Sequence, residues 1–262
     1  MKALVINLDS AIERMAFQKQ QLQSLNIDYE RLPAYKIEDD KDPVYKKMCN
    51  TWQRPMSVSE VSCFFSHKNA WDKIIEQNKP MLILEDDAML ALNVPCILKE
   101  ISAFKKIDYI NLEDRKSRKK LLDKTSIKDF CHSSLIRLYQ GRSGAAGYVL
   151  WPSGAKKLLD TANQRIGIAD KFINEHYSLS AFQVEPAAII QLDQCHLHGI
   201  EAPIKINTSI SKETNSSIIK NGWGFRIKRA LGETKIGLNY IRHFGHAKRR
   251  KIKISSSFDK TL

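Results

Sequence analysis

The chain has 262 residues, 43% hydrophobic and 27% charged, and carries a net charge of +13. That length and apolar content support a full core and exclude the disordered, collagenous and small disulfide-stapled classes. Twelve Lys and Arg against Glu233 and Asp259 place +10 of the charge in residues 220–262, which separates a nearly neutral body from a basic tail.

Residues 3–8 read as a first strand. Ser10-Ala11-Ile12-Glu13 has the spacing of a helix capping box, and Ile12, Met15, Ala16, Leu22 and Leu25 continue as a helical apolar stripe ending near Asn26. Residues 27–32 give a second strand before Pro33, and this β-α-β opening argues for a parallel, nucleotide-type sheet. Residues 35–55 have no clean period and read as a long loop of the lid or binding kind. A second capping box, Ser57-Val58-Ser59-Glu60, opens a helix that buries Val61, Phe64, Phe65, Trp71, Ile74 and Ile75 and ends near Asn78-Lys79-Pro80.

Next comes Met81-Leu82-Ile83-Leu84-Glu85-Asp86-Asp87, four apolar residues running into three carboxylates. The apolar run fits a strand buried on both faces, so the acids fall at its carboxyl end, where open α/β sheets place ligands. Adjacent carboxylates repel one another. A divalent cation with oxygen ligands offsets that repulsion and would also hold a diphosphate; the alternative is a solvated acidic turn. Beyond it the pattern predicts a helix over 93–106, a strand over 107–112 and an exposed polar excursion over 115–128. A strand over 134–139, a glycine-rich turn over 141–147 and a strand over 148–151 follow. Helices over 153–162 and 168–179 and a strand-like stretch over 182–191 complete the body.

Several side chains are placed to carry chemistry. Asn7-Leu8-Asp9 and Arg14, at the end of the first strand and the start of the first helix, offer amides and a guanidinium to a ribose and phosphates, or else form a capped helix with a surface arginine. Cys63, Ser66 and His67 share the second long helix, where His67 beside Trp71 is a packing residue or a cleft ligand. The turn containing Gly144 permits close backbone approach to a sugar or phosphate, or is a plain strand connection; it lacks the lysine and spacing of a P-loop. Asp170 is a helix cap or a general base. His196 and His198 are exposed, or one supplies a nitrogen to the metal. The five cysteines, Cys49, Cys63, Cys96, Cys131 and Cys195, are widely spaced with no C-x-x-C pair. They indicate neither a disulfide framework nor structural zinc and suit a reducing cytoplasm. The amino terminus turns polar too early for a signal peptide, and no apolar run reaches the length of a membrane span.

Taken in order, these motifs resemble glycosyltransferase family 25. The resemblance rests on Asn7-Leu8-Asp9 with Arg14, Cys63-Phe64-Phe65-Ser66-His67 with Trp71, the apolar strand ending in Glu85-Asp86-Asp87, Gly144 to Tyr148 followed by Ser153-Gly154-Ala155-Lys156-Lys157-Leu158-Leu159, and Asp170. It spans roughly residues 1–191. Glu60-Val61-Ser62 stands where the family has glycines, and Ile168-Ala169-Asp170 where it has Pro-x-Asp. The resemblance implies a GT-A-like α/β fold, a mostly parallel twisted sheet flanked by helices. It also implies metal-dependent, inverting transfer of a hexose, most often galactose, from a UDP-sugar to a lipooligosaccharide acceptor. In that scheme Asp87 ligates Mn²⁺ (or Mg²⁺), helped by Glu85 and by His196 or His198. Asn7, Leu8, Arg14, Ser66, His67, Glu85, Asp86 and Gly144 bind the donor, and Asp170 is the base.

The body then reads as a transferase domain over 1–219 and the tail, 220–262, as a basic amphipathic appendage. Trp223, Phe225, Ile227, Leu231, Ile236 and Leu238 are interleaved with Lys and Arg, ending in Lys248-Arg249-Arg250-Lys251. Such a segment suits an anionic membrane surface, here the cytoplasmic face of the inner membrane, where a lipid-linked acceptor is assembled. A metal-dependent phosphodiesterase or nuclease using the tail to hold nucleic acid is the alternative, disfavoured because no second acidic cluster ends a strand. A non-catalytic carbohydrate- or membrane-binding module is the third.

Overall fold

A computed structural model describes residues 1–115, 118–142, 144–204 and 223–258. The chain runs β1 (Ala3–Asn7), α1 (Ile12–Ser24), β2 (Tyr29–Pro33), α2 (Pro43–Met48), α3 (Val58–Gln77), β3 (Met81–Glu85), β4 (Ala88–Leu90), α4 (Val94–Ile101) and β5 (Tyr109–Asn111). It continues through β6 (Lys120–Phe130), β7 (Ser133–Gln140), β8 (Gly147–Leu150), α5 (Pro152–Ala162), α6 (Ala169–Asn174), β9 (Ala181–Glu185) and β10 (Ile189–Gln191). A 3₁₀ segment (Leu192–His198), α7 (Trp223–His243) and β11 (Ala247–Arg250) complete the described chain.

Nine strands form one sheet in the order β11-β6-β7-β9-β5-β8-β3-β1-β2. Because successive strand residues point to opposite faces, Ala3, Val5, Leu82 and Leu84 meet α1 and α4, whereas Leu4, Ile6, Met81 and Ile83 meet α3, α5 and α6. Residues Met81 to Leu84 are at most 1% exposed, as the unbroken apolar run requires. Burying each such side chain contributes about 1.5–3 kcal/mol. The sheet is mixed. It is parallel across β2-β1-β3 and between β5 and β9, and antiparallel where β8 inserts between β3 and β5 and through β7, β6 and β11.

The Ser57 capping box forms in full. The one expected at Ser10 does not: the helix starts after Ala11, with no side-chain cap bond. Within the loop over 35–55, Asp42 caps the short α2 by accepting from the Val44 and Tyr45 amides at 2.7 and 3.2 Å. The polar excursion over 115–128 is corrected to a strand. Lys120, Leu121 and Leu122 are buried in β6, where β7 and β11 pair on either side, whereas Arg118, Lys119 and residues 124–129 are exposed as expected. The cysteine reading is also corrected. Cys96 of α4 and Cys131 of the β6–β7 turn, 35 residues apart, have Cα atoms 6.0 Å apart and form a disulfide. Spacing alone does not reveal that the hairpin tip lands on α4, and cysteine usage no longer argues for a reducing compartment.

The stretch over 182–191 divides into β9 and β10, and β10 turns out of the main sheet to pair with β4 in a two-stranded ribbon. In the tail, α7 lies against β7: Gln140 Nε2 donates to the Ile236 carbonyl at 2.7 Å, Asn239 Nδ2 to the Tyr139 carbonyl at 3.1 Å, and His243 stacks on Tyr139 at 3.9 Å. The expected boundary at 219/220 lies outside the described residues. No helix among the described residues is long and apolar enough to cross a membrane.

Candidate functional site: an acid-lined cleft at the end of strand three

Two buried glutamines of α1 shape the turn after β3. Gln18 Nε2 donates to the carbonyls of Asp86 and Ala88 at 3.1 and 2.7 Å, and Gln21 Nε2 donates to Ala88 O at 2.7 Å. Gln21 Oε1 accepts from the Leu90 amide at 3.1 Å. These bonds satisfy main-chain groups that a tight turn would otherwise leave unpaired in the core, and they fix where Glu85, Asp86 and Asp87 point.

The three acids have different partners. Asp86 is held internally by Asn7 Nδ2 at 2.8 Å and Arg14 Nη1 at 2.9 Å. Asn7, 2% exposed, also donates to Ala11 O and accepts from Arg31 Nε, so its side chain is fully used as a joint between β1, α1 and β3. Burial raises the Asp86 carboxyl, with Arg14 and Asn7 opposing. Glu85 Oε1 lies 3.1 Å from His67 Nε2, and His67 Nδ1 lies 3.0 Å from the Tyr148 hydroxyl, which receives the Trp71 indole N–H at 2.9 Å. Among the described residues the Asp87 carboxylate has only a long contact at Oδ2 from Gln191 Nε2, at 3.3 Å. Burial, with Glu85 and Asp86 beside it and Arg14 opposing, pushes Asp87 up to about 7.

These groups border a cleft of about 590 Å³ whose lining includes Leu8, Arg14, His67, Ser66, Arg115 and Asp193 besides the three acids and Gln191. Residues 35–38 form its rim, pinned to α3 where Ser66 Oγ accepts from the Tyr35 amide at 2.9 Å and Ser62 Oγ from the Ile37 amide at 3.1 Å. The buried oxygens Asp87 Oδ1, Gln191 Oε1 and Asp193 Oδ1 have no hydrogen-bond partner among the described residues. An all-oxygen donor set of this kind fits a hard divalent cation such as Mn²⁺ or Mg²⁺. Cys63, His67 and Glu85 also approach within 4.8 Å of one another. Both His67 nitrogens are already engaged there, and burial with the Glu85 charge raises the Cys63 thiol well above its ordinary value.

The other expected site residues fall elsewhere. Gly144 does not line the acid cleft. Its φ is +89°, and a Cβ there would lie 2.3 Å from the Glu113 carboxylate, whose Oε2 accepts from the Ala146 amide at 2.8 Å. Gly144 thus makes room for a buried acid. His196 is exposed, and His198 Nε2 lies 4.0 Å from Asp114 Oδ2; neither lines the acid cleft. Asp170 lines a neighbouring cleft of about 780 Å³. Its charge still helps to raise the Cys63 thiol of the acid cleft. Gln191, Asp193 and Arg115 are cleft residues that the sequence reading missed: the β4–β10 ribbon brings Gln191 and Asp193 in from about a hundred residues away, and Arg115 enters from the segment after β5. Gln18 and Gln21 did leave a signal: two polar residues interrupt the apolar stripe of α1 at i, i+3 spacing.

The chain is similar to the lipooligosaccharide biosynthesis protein lic2B of Haemophilus influenzae, 28% identical over 221 residues that cover 79% of this chain and 82% of the relative. A glycosyltransferase 25 family member of Anopheles gambiae is 31% identical over 100 residues, 32% of this chain and 16% of that one. Among solved structures, the inositol-1-phosphate CTP transferase from T. maritima aligns over 79% of this chain and 91% of its own at 11% identity and a TM-score of 0.38, too loose a likeness to argue from. The family described as glycosyltransferase family 25 (LPS biosynthesis protein) matches residues 1–173. The chain therefore belongs to glycosyltransferase family 25 and is a glycosyltransferase.

Proposed function

We propose that the protein transfers a hexose, galactose by its family resemblance, from a UDP-sugar to a lipooligosaccharide acceptor at the cytoplasmic face of the inner membrane. The observation that carries this reading is the set of buried oxygens on Asp87, Gln191 and Asp193 that lack a hydrogen-bond partner among the described residues, in a cleft that Arg14 and Arg115 also line. Oxygen ligands beside cationic side chains suit a metal-bound diphosphate. Asp87, with Gln191 and one of Glu85 and Asp193, would hold Mn²⁺ or Mg²⁺, which when bound supplies Lewis-acid stabilisation of the charge on departing UDP. Arg14 and Arg115 would orient the diphosphate, and the rim over 35–38 would exclude water from the donor. Inversion needs a base on the acceptor side, and Asp170, which lines the adjoining cleft, would accept the proton of the attacking hydroxyl.

The test is turnover of UDP-galactose with and without Mn²⁺ in the wild type and in Asp87→Asn. Loss of metal-dependent turnover in the variant is expected, and unchanged metal-dependent turnover would overturn the site. A parallel screen of UDP-glucose and the N-acetylated donors fixes the hexose.

A further inference from the structure

Helix α7 is two-sided. Its inner face is set against the body by Gly232, where a Cβ would lie 2.4 Å from Gln53 Nε2, and by the Ile236, Asn239 and His243 contacts with β7; Lys228 Nζ also donates to the Asn50 carbonyl at 3.0 Å. Its outer face carries Trp223, Ile227, Leu231, Leu238 and Ile241, all exposed. Their spacing of three, four and seven residues puts them on one stripe. The cleft of about 780 Å³ that contains Asp170 lies between the inner side of this helix and the body.

The charge lining that cleft is lopsided. Arg54, Arg118, Lys119, Lys171, Arg229 and Arg249 stand against Asp170, Glu175 and Glu233. Arg54 is paired with Glu60, and Arg229 with Glu233 at 3.0 Å. Arg118, Lys119, Lys171 and Arg249 have no salt bridge among the described residues. These four cations come from three separate places, the segment before β6, α6 and β11. A concave wall of unbalanced positive charge concentrates anions, and the cavity is of a size that holds a multi-ring ligand.

We propose that this cleft is the acceptor site and that it takes an anionic oligosaccharide, one bearing phosphate or carboxylate groups. The assignment rests on the transferase reading above. Helix α7 is then a shared wall: its inner side holds the acceptor glycan while its outer stripe faces the lipid that carries it. Asp170 sits on α6, which packs on α3 with Phe172 4.9 Å from Phe64, and α3 also lends Cys63, Ser66 and His67 to the acid-lined cleft, so the hydroxyl to be glycosylated is assigned to that end.

The probe is core oligosaccharide released from rough lipopolysaccharide, titrated calorimetrically into the full chain as the intact, dephosphorylated and carboxyl-reduced forms. The intact form should bind about tenfold more tightly than the form lacking the recognised group, and the difference should shrink with added salt. The two treated forms distinguish phosphate from carboxylate recognition. Lys171→Ala with Arg249→Ala, both exposed side chains, should abolish the preference, and Lys171→Arg with Arg249→Lys should keep it. Equal binding of all three forms, absence of binding, or a preference that survives in the alanine variant overturns the proposal. The rise in melting temperature caused by UDP and Mn²⁺ is read on the same samples. If it is present without glycan selectivity, the acceptor assignment alone falls; if it is absent while selectivity holds, the cleft keeps its anionic ligand and the UDP-sugar and metal reading of the acid-lined cleft falls.

Discussion

His67 Nε2 and Glu85 Oε1 lie 3.1 Å apart, and the bond is oriented from behind. The Trp71 indole can only donate, so the Tyr148 oxygen accepts from it; the Tyr148 proton then goes to His67 Nδ1, which leaves Nε2–H to donate to Glu85. This one-way chain orients the His67 ring so that Nε2 holds Glu85 at the cleft. Tyr148→Phe removes the central hydroxyl and strands a buried indole N–H and an imidazole nitrogen. We expect a loss of about 1–3 kcal/mol in stability and a lower kcat with a smaller change in the donor KM. Thermal melts and steady-state kinetics on this variant check both; a wild-type kcat would show that the chain does not orient Glu85 for turnover.

Asp87 gives the apo protein a defined pH dependence. Its folded pKa, about 7, lies above the ordinary 3.8, so between those values the folded state holds a proton that the unfolded state has lost. Stability therefore falls as pH rises through that window and is lowest above it. Asp87→Asn removes the buried charge. At pH 8 and without metal it should be more stable than wild type by on the order of 2–4 kcal/mol, with the gap closing near pH 4. Mn²⁺ should raise the melting temperature of the wild type at pH 8 and not that of the variant. Denaturant titrations across pH on chelator-treated protein measure the first effect and thermal melts the second; a gap that widens toward low pH would contradict the buried-charge account.

The Gln21 side chain joins α1 to both ends of β4, donating to Ala88 O and accepting from Leu90 N. Gln21→Leu preserves approximate volume but leaves the Leu90 amide without its partner in the core. The expected cost is about 1–3 kcal/mol, seen as a melting temperature lower by roughly 2–4 °C for each kcal/mol in a chain of this size. Since β4 carries the ribbon that brings in Gln191, metal affinity should weaken as well. Wild-type stability and metal affinity in this variant would separate the glutamines from the site.

The legible parts of this chain were those written in local pattern. Met81 to Asp87 announced a buried strand with acids at its end because periodicity and burial are local properties, and the Ser57–Glu60 cap because its two residues are three apart. What stayed hidden depends on distant pairing. Gln191 and Asp193 enter the cleft because β10 leaves the main sheet for β4, and Lys120 reads as solvated until Glu113 O and Gln183 Oε1 accept its ammonium at 2.8 and 2.7 Å. The three consecutive acids were similar as letters. Asn7 and Arg14 engage Asp86, His67 engages Glu85, and Asp87 Oδ1 is buried without a partner among the described residues.

The outer stripe of α7 gives a prediction that truncating the tail would not test cleanly. Removing residues 220–262 would also take away β11, which pairs with β6 in the main sheet, and one wall of the second cleft. Substituting Leu231 and Leu238, 59% and 61% exposed, avoids both losses. Each leucine inserted into a lipid interface contributes about 1.5–3 kcal/mol through buried apolar area, and neighbouring Lys and Arg add attraction to anionic headgroups. Leu231→Glu with Leu238→Glu removes the first contribution and opposes the second. Binding to vesicles containing phosphatidylglycerol should therefore fall by at least about a hundredfold, with an unchanged thermal transition because neither side chain packs in the core. Co-sedimentation with anionic and neutral vesicles decides it. If the double variant pellets with the anionic vesicles as well as the wild type does, the helix faces something other than a membrane.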